Sequence, residues 1–158
     1  MDDDKIFKVS ELRPGYKVVG PLFYSDFEKE VQHSVWKDDN RKKLIISLGS
    51  SGDWEKVIPL LESGLEGWDY IVLGGPESIR THEFIPLSQA LKGADLMICH
   101  GGNGTLYEGK RAGVKMVFVC NHFEQEWNAE RFASMGFGRL LGKDEVLSEH
   151  ILLDALTG

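Results

Sequence analysis

The sequence is short of basic residues and of long apolar runs, and each shortage excludes a class of protein. Eighteen Lys and Arg stand against 25 Asp and Glu, which gives a net charge of −7. We therefore expect no general binding to nucleic acid or to anionic membranes, because both need a positive surface field. No apolar run approaches the roughly 20 residues that span a bilayer, so no membrane insertion is expected. The 158 residues suit one domain of ordinary size.

Cysteine is also scarce, with only Cys99 and Cys120 in the chain, each at the end of an apolar run. A disulfide framework is not expected, and a reducing cytoplasm is the predicted compartment. The acidic start from Met1 to Lys5 lacks the basic and apolar stretches of a secretory signal. This start fits a solvated terminus and the tail of a protease-cleavage tag equally well. The cysteines and the scattered histidines lack metal-ligand spacing, so no metal site is expected.

Short apolar runs alternate with segments of helical spacing. The predicted strands are Leu44–Leu48, Tyr70–Leu73, Leu96–Cys99 and Met116–Cys120, and the predicted helices are Trp54–Leu61, Leu87–Leu91, Leu106–Ala112, Phe123–Met135 and Asp144–Leu156. This alternation predicts an α/β fold, a Rossmann-like parallel sheet flanked by helices. Proline and glycine interrupt residues 1–40, which we interpret as a lead-in or linker segment. Residues 41–158 then form the domain.

A glycine-rich run, His-Gly-Gly-Asn-Gly-Thr at residues 100–105, joins the third predicted strand to a helix. Glycines allow close approach to a ligand, and the N–H groups and dipole of a helix N-terminus favour an anion such as a diphosphate. A tight strand-to-helix turn would use the same glycines, so both interpretations stay open. The run is neither a Walker loop nor a G-x-G-x-x-G dinucleotide fingerprint.

Polar residues near this run suit a sugar. On a helix that starts at Gly104, Glu108 lies one turn in, where a carboxylate accepts hydrogen bonds from ribose hydroxyls or interacts favourably with the helix dipole. The fourth predicted strand is followed by Asn121, His122, Glu124 and Gln125. These side chains fit either a sugar ring or helix capping and an exposed polar turn.

The motifs taken together resemble a known family. They are His100–Glu108, Gly113–Met116, Glu124–Gln125 with Asn128–Ala129, and the supporting runs Gly20–Leu22, Ser47–Ser50 and Phe84–Leu87. This pattern resembles the C-terminal, nucleotide-sugar-binding half of UDP-dependent glycosyltransferases with the GT-B fold. The sequence departs from the usual family pattern in having Lys115 and Cys120 where prolines are common and Glu124 where Asp is usual.

The resemblance implies a role for each matching position. The implied diphosphate contacts are Ser50, His100, Gly102, Asn103, Gly104 and Thr105, the ribose contact is Glu108, the uracil contacts are Phe84 and Ile85, and the donor-sugar contacts are Glu124 and Gln125. The UDP-sugar is then a co-substrate, and no cofactor or metal is expected. The catalytic base is expected on the other half of the enzyme, so no catalytic residue is assigned to this chain.

The missing half also bears on partners. We expect the chain to pair with an N-terminal acceptor-binding domain or a partner subunit, and the apolar face left by its absence to support weak homodimers. Two alternatives stay open. One is a separate donor-binding subunit of a two-chain UDP-GlcNAc transferase, and the other is a non-catalytic nucleotide-sugar-binding module.

Overall fold

Five parallel strands form the central sheet of this computed structural model, which describes residues 14–15, 17, 21, 34–37, 40–82 and 84–158. The strands are β1 (Lys42–Ser47), β2 (Trp68–Val72), β3 (Leu96–Cys99), β4 (Lys115–Phe118) and β5 (Gly138–Leu140). Their order is β2-β1-β3-β4-β5, and every neighbouring pair is parallel. The predicted α/β architecture is thereby confirmed. The predicted lead-in, residues 1–40, lies almost entirely outside the described residues.

Helices alternate with these strands along the chain. They are α1 (Ile58–Glu62), α2 (Leu87–Ala90), α3 (Asn103–Ala112), α4 (Phe123–Ser134) and α5 (Glu149–Thr157), with a 3-10 turn at Trp54–Lys56 ahead of α1. Crossovers of this kind are what parallel pairing requires, since consecutive parallel strands cannot be joined by a tight hairpin.

Both faces of the sheet are covered, because side chains alternate between the faces along each strand. Leu44 and Ile46 of β1 pack on one face in a cluster that includes α1 and α5 residues. Ile45 between them packs on the other face, in a cluster with residues of α2, α3 and α4. All four residues of β3 are buried. A strand covered on both faces is a continuous apolar run, which explains why the sequence signal for β3 was strong.

The four predicted strands are confirmed, with ends shifted by up to two residues. The sequence did not predict β5, which has only three half-buried residues, one of them arginine. Gly138 opens this strand, and a Cβ there would overlap the main-chain carbonyl of Met116. Close pairing with β4, rather than an apolar pattern, therefore defines β5.

The predicted helix at Phe123–Met135 is confirmed as α4, which Gly136 ends with a φ of +78°. The prediction of one helix from Trp54 to Leu61 is wrong. The segment divides into the 3-10 turn and α1, with Pro59 in the first turn of α1. Proline fits there because first-turn N–H groups have no intrahelical acceptor, whereas inside a longer helix it would remove a hydrogen bond.

The last helix begins later than predicted. Asp144–Leu156 was the predicted range, but α5 starts at Glu149 after its N-cap, Ser148. Glu145 instead accepts a hydrogen bond from the Gly142 N–H at 2.7 Å and pairs with Arg139 at 2.6 Å. These contacts hold the preceding turn outside the helix and lower the pKa of Glu145.

Candidate functional site

The strand order reverses between β1 and β3, and the region formed by the carboxyl ends of these two strands and the loops that follow them is called the crevice below. β1 and β3 are neighbours, and Ser47 pairs with Cys99 at their carboxyl ends. The chain leaves β1 towards α1 on one face of the sheet and leaves β3 towards α3 on the opposite face. Such a point in an open parallel sheet is where α/β proteins bind ligands.

The His100 ring sits in this crevice between two glycines. A Cβ on Gly49, whose φ is +64°, would lie 3.2 Å from the ring carbon Cε1, and a Cβ on Gly102 would overlap the ring. Glycine at both positions thus makes the space for the imidazole. The Nδ1 atom is buried and has no hydrogen-bond partner within the described part of the chain.

Burial sets the charge of His100. Desolvation lowers the pKa of this imidazole below its ordinary value, the nearby Ser47 backbone opposes the shift, and His122 adds to it. Although the Ser47 backbone is close, it makes no hydrogen bond of normal geometry with Nδ1. The ring is consequently neutral near pH 7 and can donate one N–H hydrogen bond.

The N-terminus of α3 opens into the same crevice. Gly102 is the N-cap, and its carbonyl accepts from the Leu106 N–H at 3.0 Å. Among the described residues, nothing accepts from the N–H groups of Asn103, Gly104 or Thr105. Asn103 and Gly104 are exposed. Three unpartnered donors at the positive end of a ten-residue helix form an environment that suits an anion.

Gly101 is the buried floor of the glycine loop. Its φ is +91°, and a Cβ there would lie 2.7 Å from the Gln125 carbonyl oxygen and 3.2 Å from the Cys120 sulfur. Burial raises the pKa of the Cys99 thiol to about 12, although the nearby Gly101 backbone opposes the shift. Burial likewise raises the pKa of Cys120 to about 12, so both sulfurs are neutral packing groups.

Amide side chains connect the loops around the crevice. The Asn121 N–H donates to Gln125 Oε1 at 2.9 Å, and Asn121 Nδ2 donates to the Ser51 carbonyl at 3.0 Å. Asn128 Nδ2 donates to the Gly101 carbonyl at 3.3 Å. Two of these bonds cross between segments: one joins the loop after β4 to the loop after β1, and the other joins α4 to the loop after β3.

The comparison with known families decides the assignment. A model described as "Glycosyltransferase family 28 C-terminal domain" matches residues 18–157. The chain belongs to this family. Its relatives include the NDP-glycosyltransferase YjiC of Bacillus subtilis, which is 32% identical over 142 residues, or 81% of this chain and 36% of YjiC. The chain thus spans about a third of the length of this curated relative.

Solved glycosyltransferases share the fold of this family 28 domain. SnogD from Streptomyces nogalater superposes with a TM-score of 0.65 at 22% identity, covering 82% of this chain and 39% of SnogD. The spinosyn rhamnosyltransferase SpnG complexed with thymidine diphosphate gives a TM-score of 0.60 at 21% identity, covering 75% of this chain and 36% of SpnG. These likenesses confirm the predicted fold, the C-terminal half of a GT-B glycosyltransferase.

The predicted diphosphate residues of this family 28 domain meet at the crevice, with one at its edge. His100, Gly102 and the first turn of α3 line it, and half-buried Thr105 lies in that turn. Ser50 is exposed in the loop after β1, next to Gly49. Glu108 is half-buried one turn further along α3. The ribose and diphosphate roles of these residues stay predictions.

The predicted base and sugar contacts lie on neighbouring segments. Phe84 is 82% exposed, and Ile85 packs against the core beside it, just ahead of α2. Because α2 packs against α3, this pair lies beside the glycine-loop helix. Glu124 is exposed, whereas Gln125 is only 4% exposed and its Oε1 is already used by Asn121. The uracil and sugar roles also stay predictions.

Gly49, Gly101 and Asn128 also shape this site, although the sequence motifs that contain them assigned a role to none of the three. A signal for Asn128 was present, because Gln125, Asn128, Ala129 and Phe132 share the buried face of α4. Polar side chains at core-facing positions of an amphipathic helix need a partner and so indicate a built interaction. The two glycines carried no such signal, since their roles depend on neighbours distant in sequence.

The described residues contain neither a metal-binding cluster nor a membrane-spanning helix. They contain no group of three or more His, Cys, Asp or Glu that could hold a metal ion. None of the helices in the described ranges is long and apolar enough to cross a membrane.

Proposed function

We propose that this chain is the donor-binding domain of a GT-B glycosyltransferase that takes a sugar from UDP and transfers it to an acceptor hydroxyl. The observation that carries this proposal is the arrangement at the crevice: the His100 ring and the unpartnered N–H groups of α3 lie together at the switch point of the sheet. Family 28 membership and the match to an NDP-glycosyltransferase support a nucleotide-sugar donor.

The proposed chemistry needs stabilisation of the leaving nucleoside diphosphate. Negative charge grows on its oxygens as the bond to the anomeric carbon breaks. The N–H groups of Asn103, Gly104 and Thr105 form a fixed set of donors for that charge, and His100 adds a donor beside them. Donors already in place cost no reorganisation when the charge develops. We propose that no metal takes part.

Acceptor activation must come from outside the crevice. We propose that a base on an N-terminal domain or partner subunit removes the proton from the acceptor hydroxyl, in agreement with a chain that spans 36% of the length of YjiC. Phe84 and Phe123 are 82% and 77% exposed on segments that follow β2 and β4, which supports a partner surface at this edge of the sheet. The same surface would support weak homodimers. The compartment that we propose for the protein is the cytoplasm.

The nucleotide base is the finer part of the proposal. We propose that the base is uracil, that the Ile85 main chain contacts it and that Phe84 lies beside it. The solved SpnG complex holds thymidine diphosphate, so TDP is the competitor that the test must include.

Calorimetric titration of the chain with UDP, TDP, UDP-glucose and UDP-GlcNAc tests the proposal. We expect UDP to bind more tightly than TDP, because thymidine lacks the 2′-hydroxyl that would hydrogen bond to the proposed ribose contact, Glu108. Substitution His100→Ala should weaken UDP binding about tenfold or more, since it removes a hydrogen bond to a charged group. Glu108→Ala should also weaken UDP binding, through loss of the ribose contact.

Matched variants control for the change of residue type. His150 and Glu62 are exposed on helices of the opposite sheet face, so His150→Ala and Glu62→Ala should leave UDP affinity unchanged. Absence of UDP and TDP binding would contradict the proposal. Tighter binding of TDP than UDP would correct the base while leaving the site in place.

A further inference from the structure

Asn128 is one of two polar side chains buried in the described part of the chain, the other being Gln125. It is 3% exposed and lies on the core-facing side of α4, between Gln125 and Phe132. A buried amide without a partner would be costly. The Asn128 Nδ2 donates to the Gly101 carbonyl at 3.3 Å, which joins α4 to the floor of the glycine loop.

This hydrogen bond fixes the orientation of one peptide group. The unit that carries the Gly101 carbonyl also carries the Gly102 N–H, and in a trans peptide the two bonds point in opposite directions. A carbonyl held towards the interior by Asn128 consequently directs the Gly102 N–H away from the interior. Gly102 is the N-cap of α3, and among the described residues its N–H has no acceptor.

The preceding peptide unit is held as well. The Gln125 carbonyl and the Cys120 sulfur pack where a side chain of residue 101 would stand, with the Gln125 oxygen 2.7 Å from the position of a Cβ. Glycine at this position would otherwise allow the peptide to rotate, because residues without a Cβ have few forbidden conformations. The contacts around Gly101 therefore remove a freedom that the sequence of the loop allows.

We infer that Asn128 is a positioning residue that holds the Gly101–Gly102 peptide so that the Gly102 N–H faces the diphosphate of the donor. The inference rests on the proposed function for the identity of that ligand. Asn128 does not touch the donor. It acts through the main chain of the loop. The Gly102 N–H that it positions becomes a fourth donor beside the three N–H groups at the start of α3.

Two substitutions separate the hydrogen bond from the volume of the side chain. Asn128→Asp keeps the shape but presents oxygen to the Gly101 carbonyl, and Asn128→Leu keeps a similar volume without any donor. Both should release the peptide. Phe132→Leu is the control, since Phe132 is buried on the same helix but packs with Tyr107 and Phe137, and its substitution lowers stability through lost packing alone.

The experiment measures UDP affinity by calorimetry and the Gly102 amide signal by ¹H–¹⁵N NMR, on the full 158-residue chain. Loss of one hydrogen bond to a charged ligand should raise the Kd for UDP about tenfold in both Asn128 variants. The shift of the Gly102 signal on UDP addition should be reduced in both, and Phe132→Leu should change neither quantity. If the two variants fail to fold, Asn128→Ala removes the donor without adding volume or charge and should act in the same direction.

The outcomes distinguish this inference from the proposed function. Wild-type binding together with unchanged Kd and Gly102 shifts in the folded Asn128 variants would overturn the positioning role and leave the proposed function standing. A rise in Kd of the same size in Phe132→Leu would also overturn it, because a general loss of stability would then explain the effect. No UDP binding by the wild type would overturn both.

Discussion

The inner and outer halves of the glycine loop use the same amino acid for opposite reasons. Gly101 is enclosed by protein atoms, has a φ of +91° and leaves no room for a Cβ. Gly104, three residues on, is exposed, has an ordinary φ, and would meet no atom within 4 Å if it carried a Cβ. The fold requires glycine at the inner position but not at the outer one. The described residues therefore do not explain glycine at position 104, whereas the proposed ligand on the α3 amides would explain it.

Gly101→Ala, in the inner half of the loop, should have the largest effect on the free energy of unfolding. The new methyl would lie 2.7 Å from the Gln125 carbonyl oxygen, at a φ that L-residues avoid. We expect a loss of about 2–4 kcal/mol in the free energy of unfolding. Chemical denaturation measures it, and a loss below that of a surface substitution would show that the floor of the loop is not tightly packed.

The pH dependence of UDP affinity reports the charge of the His100 ring. Burial lowers its pKa in the free chain, while a bound diphosphate would favour the charged ring, so binding should take up a proton. UDP affinity should then rise as pH falls from 8 towards 6, by up to about tenfold for each unit by which the pKa differs between free and bound states. Calorimetry of wild type and His100→Gln over this range measures the effect.

Comparison of the wild type with His100→Gln removes the effect that titration of UDP has on the measured affinity. Titration of UDP affects both proteins equally, so the difference between their pH profiles belongs to residue 100. Parallel profiles would mean that the ring keeps one charge state in the free and the bound protein.

Gly104→Ala, in the outer half of the loop, should change stability less than Gly101→Ala does. Alanine has room at this first-turn position and reduces the freedom of the unfolded chain, so stability should rise by about 0.4–1 kcal/mol. UDP affinity should fall several-fold, because the methyl stands where a ligand approaches the amides. Thermal denaturation and calorimetry measure the two effects. A rise or no change in affinity would indicate that the ligand does not pass Gly104.

The sequence predicted what depends on local pattern. The buried strands appear as apolar runs, and α4 is a helical pattern closed by Gly136. The glycine loop was placed correctly between β3 and α3 for the same reason. The contacts of Gly101 with Gln125 and of His100 with Gly49 join residues more than twenty positions apart, so no local pattern could contain them.

The errors also have local causes. β5 holds arginine between glycine and leucine and is defined by its approach to Met116, so it lacks an apolar signal. At residues 54–61 the helical spacing was real, but Pro59 placed the start of a new helix within it. Before α5, Glu145 hydrogen bonds to Gly142 and pairs with Arg139, and local side-chain contacts of this kind compete with helix formation.

The hydrogen bond from Asn121 to Ser51 reaches across the end of β3, since β1 and β4 both flank that strand and do not touch each other. Its acceptor is a main-chain carbonyl, so any residue at position 51 can supply it. The length of the segment is more constrained. Gly52 packs so closely against Leu48 that a Cβ at position 52 would overlap it. The width of the crevice should therefore withstand substitution at Ser51 and change with the insertion or deletion of a single residue between Gly49 and Asp53.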